Sequence, residues 1–160
     1  MLTIRRATAD DCRQYWVWVN DPAVRAAAFH SDPIDWDTHV RWFHERLASA
    51  DTALFVIGDA TGTPIGQVRF DRVSGEDAIV DVSLDAAWRG RGLAAEALRV
   101  ACTALGDGAA GRIVAEIRED NVASRRAFAA AGFVVDTLGA GRPGVVRLAR
   151  RRSTDRSVKP

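Results

Sequence analysis

Ile79-Val-Asp-Val-Ser-Leu84-Asp-Ala-Ala-Trp88-Arg-Gly90-Arg-Gly92-Leu-Ala-Ala-Glu96 runs from an apolar alternation, through two glycines flanked by arginines, into an alanine-rich stretch. The first part reads as a strand, Ala78–Leu84. The last part opens a helix over Gly92–Leu105, where Leu93, Ala97, Val100 and Ala104 keep helical spacing. A helix N-terminus presents unpaired N–H groups and the positive end of the helix dipole, a combination that binds phosphate. Gly90 and Gly92 let a ligand approach the backbone closely. Arg89 and Arg91 add positive charge and bidentate geometry. The stretch therefore predicts a ligand that carries a pyrophosphate.

Three ligand classes compete for it. A Walker loop requires GxxxxGK[ST], and the sequence has none. A dinucleotide fold requires GxGxxG or GxGxxA, and Gly90–Ala95 fits the looser form. That stretch, however, follows three or four strands and lacks a later strand ending in an acid placed for ribose. Coenzyme A is the third candidate.

Outward from this core, Leu2–Arg6 reads as a strand. A helix follows to about Val19, with Thr8, Asp10 and Asp11 available to cap it. Asn20-Asp21-Pro22 ends that helix, and a short helical piece covers Ala23–Ala28. Asp35 or Asp37 caps a helix through about Ala48, with Trp36, Val40, Phe43 and Leu47 on one stripe. Leu54–Gly58 and Ile65–Val73 read as strands, as does Arg112–Arg118. Val122–Ala131 is a helix closed by Gly132. Phe133–Leu138 and Val145–Ala149 form a last hairpin. The order predicts an α/β fold: one mixed, mostly antiparallel sheet of about seven strands, with four helices on its two faces.

The chain has 160 residues, 48% hydrophobic and 27% charged, with a formal charge of +1. These values suit one soluble domain, expected over residues 1–150. Basic residues gather at the end: Arg147, Arg150, Arg151, Arg152, Arg156 and Lys159 against Asp155 alone. Residues 151–160 read as a basic, flexible tail. No aromatics interleave with its arginines, so a nucleic-acid partner is not expected. Cys12 and Cys102 form no CxxC pair, and no metal site is expected. No apolar leader and no run of 18 apolar residues occurs, which predicts a cytoplasmic protein with no membrane partner.

Two motifs carry a resemblance to the GNAT acetyltransferase superfamily. Arg89-Gly90-Arg91-Gly92-Leu93-Ala94 resembles its Q/R-x-x-G-x-G/A signature. Asn121-Val-Ala-Ser124-Arg-Arg-Ala-Phe128-Ala-Ala-Ala-Gly132-Phe133 resembles N-x-x-[AS]-x-x-x-Y-x-x-x-G-F. The resemblance spans roughly Leu2 to Ala149. It implies acetyl-CoA as donor, with its diphosphate on Arg89, Gly90, Arg91, Gly92, Leu93 and Ala94. Pantetheine then lies along the strand edge at Val82 and Leu84, and Asn121 and Ser124 contact the cofactor. The family usually has tyrosine at the position of Phe128, as the acid for the departing thiolate. Phenylalanine cannot donate a proton, although it can pack on pantetheine.

Moving an acetyl group to an amine needs a base for the ammonium proton and donors for the oxyanion, but no protein nucleophile. The resemblance implies Glu116 as that base, five residues before Asn121. The alternation of Val114, Glu116 and Arg118 against Ile113, Ala115 and Ile117 sets it on a polar face. Otherwise it is a solvated carboxylate paired with Arg118. Asp81 and His30 are further candidates. The run Trp16-Val-Trp-Val-Asn20-Asp-Pro-Ala-Val-Arg25, followed by Phe29-His30 and Ile34–Phe43, looks like acetyltransferases that act on UDP-linked 4-amino sugars. So does Gly66–Phe70. These imply a nucleotide-linked amino sugar as acceptor, with Arg25 or Arg69 toward its diphosphate and His30 in the acceptor site. A protein N-terminus is the alternative acceptor, and a non-catalytic CoA-binding module or homodimer stays open.

Overall fold

The computed structural model describes residues 1–106, 111–139 and 141–151. Its seven strands form one sheet in the order β1-β2-β3-β4-β5-β7-β6. They are β1 (Thr3–Arg6), β2 (Thr52–Gly58), β3 (Pro64–Asp71), β4 (Asp77–Leu84), β5 (Arg112–Arg118), β6 (Val134–Val135) and β7 (Val145–Arg151). Every neighbouring pair is antiparallel except β4 with β5. The helices are α1 (Cys12–Val19), α2 (Pro22–Ala27), α3 (Trp36–Ala48), α4 (Leu93–Leu105) and α5 (Val122–Ala130). The basic-tail reading falls on residues 152–160, outside the described residues, while the sheet itself runs to Arg151.

Alternation along the strands sorts the core into two layers. Ala53, Phe55 and Ile57 of β2 enter a cluster with Val68, Phe70, Ala97, Leu98, Ala101 and Phe128, which seats α4 and α5 on one face. Leu54 and Val56 point the other way, into a cluster with Tyr15, Trp18 and Phe43 of α1 and α3. Leu98 is fully buried, and a side chain of that kind contributes about 1.5–3 kcal/mol. Tyr15 is buried as completely, and its hydroxyl donates to the Phe55 carbonyl at 2.7 Å.

Three expectations shift. Among the described residues there are five α-helices, not four, and Asp21 caps the short α2 by accepting from Ala23 N and Val24 N. On α3, Trp36 is exposed and His39 takes the buried place, with Nε2 donating to the Cys12 carbonyl at 2.8 Å. The last strand pair is also shorter on one side. β6 keeps only two residues, and β7 inserts between it and β5, pairing along its whole length with β5. Just past β6, Asp136 still donates its N–H to Arg147 O at 2.9 Å, and its side chain meets two arginines.

Those arginines close a charge cluster at one end of the sheet. Arg112 reaches Asp77 with Nε (2.8 Å) and Nη2 (2.7 Å), and Asp136 with Nη1 (3.0 Å). Arg147 reaches Asp136 at 2.7 Å, Asp77 at 2.9 Å and Glu116 at 3.2 Å. The side chain of Asp136 is only 2% exposed. Bidentate, mutually braced pairs of this kind are stronger than isolated surface pairs.

The Arg112 guanidinium holds Asp77 below the ordinary carboxylate range, and Arg147 does the same for Asp136. Both carboxylates therefore bind protons less readily folded than unfolded. Their pairs stabilise the fold above the unfolded value of about 4, and that stability is lost as pH falls through the depressed folded values. Asp136→Asn is expected to cost about 1–3 kcal/mol at neutral pH and to flatten the acid loss of stability. Urea unfolding of both forms between pH 3 and 7 checks this.

Candidate active site

β4 and β5 pair only over Asp77↔Arg112, Ala78↔Ile113 and Ile79↔Val114. Past that point each strand follows its other neighbour. β4 stays with β3 as far as Leu84↔Gly66, and β5 with β7 as far as Arg118↔Val145. Val80–Leu84 and Ala115–Arg118 thus bound an opening in the sheet. A cavity of about 1010 Å³ fills it, lined by both strand segments, the start of α4, α5, and α2 with the residues after it.

At one end of the cavity lies the glycine turn. Asp85 accepts from Ala87 N at 3.0 Å and shapes the turn Ala86–Trp88. Gly90 (φ 73°) and Gly92 (φ 74°) are left-handed, a conformation that costs other residues dearly. Gly92 is the N-cap of α4 and brings no side chain to the first amides of the helix. A Cβ at either glycine would meet no protein atom within 4 Å. The main chain is bare on its open side, and its free amides and dipole suit a diphosphate.

The arginines of this turn behave differently from expectation. Arg89 lines the cavity, but its Nε donates to Leu84 O and its Nη1 to Asp21 Oδ1, both at 2.9 Å. Arg89 holds Asp21 below the ordinary carboxylate range and ties the turn to α2. Arg91 lies 5.1 Å over the Trp88 ring and does not line the cavity. The main chain, more than these guanidiniums, is what the turn offers an anion.

Val82, Leu84, Gly90, Gly92, Leu93, Ala94, Asn121, Ser124 and Phe128 all line the cavity. Asn121 caps α5, its Oδ1 accepting from Ser124 N at 3.1 Å. Phe128 is 3% exposed and packs edge-on against Phe133 at 5.0 Å. Tyr15, the one tyrosine, cannot replace the missing acid: it is buried outside the cavity wall, with its hydroxyl committed and its pKa raised by burial.

The other end of the cavity lies under α2. Arg118 Nη1 donates to Ala26 O at 2.6 Å, so α2 is held from β5 as well as from Arg89. Phe29 is 47% exposed on the cavity wall, with Arg142 at 4.6 Å over its ring. Arg25, His30 and Arg69 are all in this wall. Arg25 Nε donates to Val19 O at 2.6 Å and its Nη1 to His30 O at 3.1 Å. Arg69 donates to Asp71 at 2.9 Å and lies 5.2 Å from the Trp42 ring. Both expected diphosphate contacts are thus engaged within the protein.

Two carboxylates face the opening from opposite strands, Asp81 on β4 and Glu116 on β5. Glu116 pairs with Arg147, its register partner on β7, and not with Arg118, which turns to Asp120. Asp81 Oδ2 accepts from Gln67 Nε2 at 3.0 Å. His39 is kept neutral by burial, and its carbonyl partner requires the proton on Nε2. Sequence reading did not mark Ser83, His39 and Arg126 of this wall, nor Gln67, which lies buried behind it against Asp81 and Ser83. The signals available were the alternation of Gln67 with Arg69 and the place of His39 in the Ile34–Phe43 run. Among the described residues, no group of His, Cys, Asp and Glu could hold a metal ion, and no helix is long and apolar enough to cross a membrane.

A family model described as "Acetyltransferase (GNAT) domain" matches residues 1–134. The chain belongs to the GNAT acetyltransferase family. It is an acetyl-CoA-dependent N-acetyltransferase, and the split sheet with its glycine turn fits that cosubstrate. Solved structures of the same fold include a spermidine N-acetyltransferase from Vibrio cholerae in complex with CoA and spermine. It is 18% identical, with TM-score 0.81 and coverage of 94% of this chain and 95% of that one. A domain from Methanocaldococcus jannaschii is 17% identical, at TM-score 0.81, over 94% of this chain and 98% of that one. An aminoglycoside acetyltransferase in complex with coenzyme A and kanamycin is 18% identical, at TM-score 0.79, over 95% of each chain. No curated protein matches in sequence.

Gly92→Glu in this acetyltransferase is expected to abolish acetyl-CoA binding at micromolar concentrations. It forces a side chain into a left-handed residue and sets a negative charge at the anion site. Titration calorimetry, with circular dichroism to confirm folding, checks it.

Proposed function

We propose that this acetyltransferase acetylates a primary amine of a small acceptor, an amino sugar linked to a nucleotide. The observation that carries the small acceptor is the covering of the acceptor end. α2 spans the opening, pinned through Asp21 to Arg89 and through Ala26 to Arg118. Such a cover favours a compact acceptor over an extended polypeptide. Phe29, Trp42 and His39 in the wall offer apolar and aromatic surface suited to a sugar ring. The sequence between Trp16 and Phe43 supports the nucleotide link. Arg25 stands in that wall with its Nε and Nη1 bonded to main-chain oxygens and its Nη2 making no bond to the described residues.

In this reading the amides at Gly90–Ala94 hold the diphosphate, and the unpaired edge of β4 from Val80 to Leu84 takes the pantetheine arm. Asn121 and Ser124 contact the same arm. When bound, acetyl-CoA supplies the acyl group already activated as a thioester. Glu116 accepts the proton of the acceptor ammonium, directly or through one water. Its pair with Arg147 orients the carboxylate. Phe128 packs at the cofactor side and donates nothing, so the thiolate departs to water.

Glu116→Gln is expected to lower kcat about 10²- to 10⁴-fold while leaving acetyl-CoA affinity unchanged. Unchanged turnover would remove Glu116 from the role. Thiol release with a UDP-linked 4-amino sugar, spermine, kanamycin and ribosomal N-terminal peptides tests the acceptor. A kcat/KM greatest for the sugar nucleotide supports the reading, and preference for a peptide overturns it.

A further inference from the structure

Gln67 is 1% exposed in the middle of β3, on the face that carries the acceptor end of the cavity. Its Nε2 gives one hydrogen bond to Asp81 Oδ2 and one to Ser83 Oγ, each at 3.0 Å. Its Oε1 is buried and meets no donor. Turned around, the amide would set its own oxygen against the Asp81 carboxylate oxygen and lose that hydrogen bond. A buried carbonyl oxygen without a donor works against stability, and leucine would fill the same space without that cost. Packing alone therefore does not account for a glutamine at this place.

The reason lies in what Gln67 holds. Asp81 is the second residue of β4 beyond the last β4–β5 pair, where the sheet has opened. Its side chain is exposed to the cavity, and its Oδ1 receives no hydrogen bond from the described residues. Arg69 stands across from it in register and its charge acts on the Asp81 carboxylate, but its hydrogen bond goes to Asp71, which leaves Asp81 Oδ1 without one. Glu116, on the opposite strand, is already committed to Arg147. Asp81 is thus a carboxylate with one oxygen anchored from below and the other turned loose at the opening.

We infer that Asp81 is the anchor for the acceptor's ammonium group, and that Gln67, with Ser83, is a positioning residue that fixes the Asp81 carboxylate. The ammonium donates to Asp81 Oδ1 and is thereby presented to Glu116, which takes its proton. This rests on the reading of Glu116 and of a small amine acceptor above. It assigns a different task to each carboxylate: Asp81 governs acceptor binding, Glu116 the chemical step.

The test measures thiol release with the UDP-linked 4-amino sugar, kanamycin and spermine for wild type, Asp81→Asn, Gln67→Leu and Glu116→Gln. Acetyl-CoA affinity by calorimetry and Tm are measured alongside. Asp81→Asn is expected to raise acceptor KM about 10- to 100-fold, the value of one hydrogen bond to a charged group, with acetyl-CoA affinity within about twofold. Gln67→Leu is expected to raise acceptor KM about tenfold while Tm stays level or rises, since the orphaned oxygen is gone. A merely structural Gln67 would instead lower Tm and acetyl-CoA affinity together, which overturns its positioning role. Acceptor KM unchanged in Asp81→Asn overturns the anchor while leaving the acceptor reading intact. Turnover of kanamycin or spermine but not of the sugar nucleotide overturns the nucleotide reading, and the same KM comparison with that amine still judges Asp81. No thiol release with any of the three overturns both.

Discussion

The site exists because β4 and β5 part company after Ile79↔Val114. Three register pairs hold the two strands side by side, and then each is claimed by a different antiparallel neighbour. The Asp77–Arg112–Arg147–Asp136 cluster clamps the closed end, because it joins β4, β5, β7 and the residue after β6 through shared hydrogen bonds. Everything functional lies beyond that clamp. The open edges, the glycine turn at the end of β4 and the cap of α5 at the end of β5 all follow from where pairing stops.

Cofactor turn and acceptor cover are mechanically joined. Asp21 is at once the N-cap of α2 and the partner of Arg89, so one carboxylate orders both. Arg118 secures the far end of α2 from β5. A helix of six residues has little stability of its own, so its place depends on these two ties. The arginine of the glycine motif thereby shapes the end of the cavity under α2, while the main chain beside it leaves its amides open.

The acid side of the chemistry departs from the family's usual pattern. Phe128 fills its position as core, against Phe133, and the one tyrosine is sealed beneath β2. Polar chemistry gathers instead on the opposite face of the sheet, where Gln67, Arg69, Asp81, Ser83, Glu116 and Arg118 project from three neighbouring strands. A carboxylate held by an uncharged amide and a carboxylate held by an arginine flank the opening there.

Features set by short-range physics were legible in the residues alone. The left-handed glycines, the helix they start, the Asn121 cap and the strand alternation each depend on neighbours a few positions away. That was enough to read the fold and the shape of the glycine turn. What the residues alone left undecided were partnerships across long separations. Arg147 meets Asp77 from 70 positions away, and Gln67 reaches Asp81 across 14. The arginines marked for a diphosphate were found spoken for, Glu116 paired with Arg147 instead of Arg118, and β7 slid between β5 and β6. Composition cannot say which of many arginines meets which carboxylate. Strand order and register decide it, and they are fixed only when the whole sheet assembles.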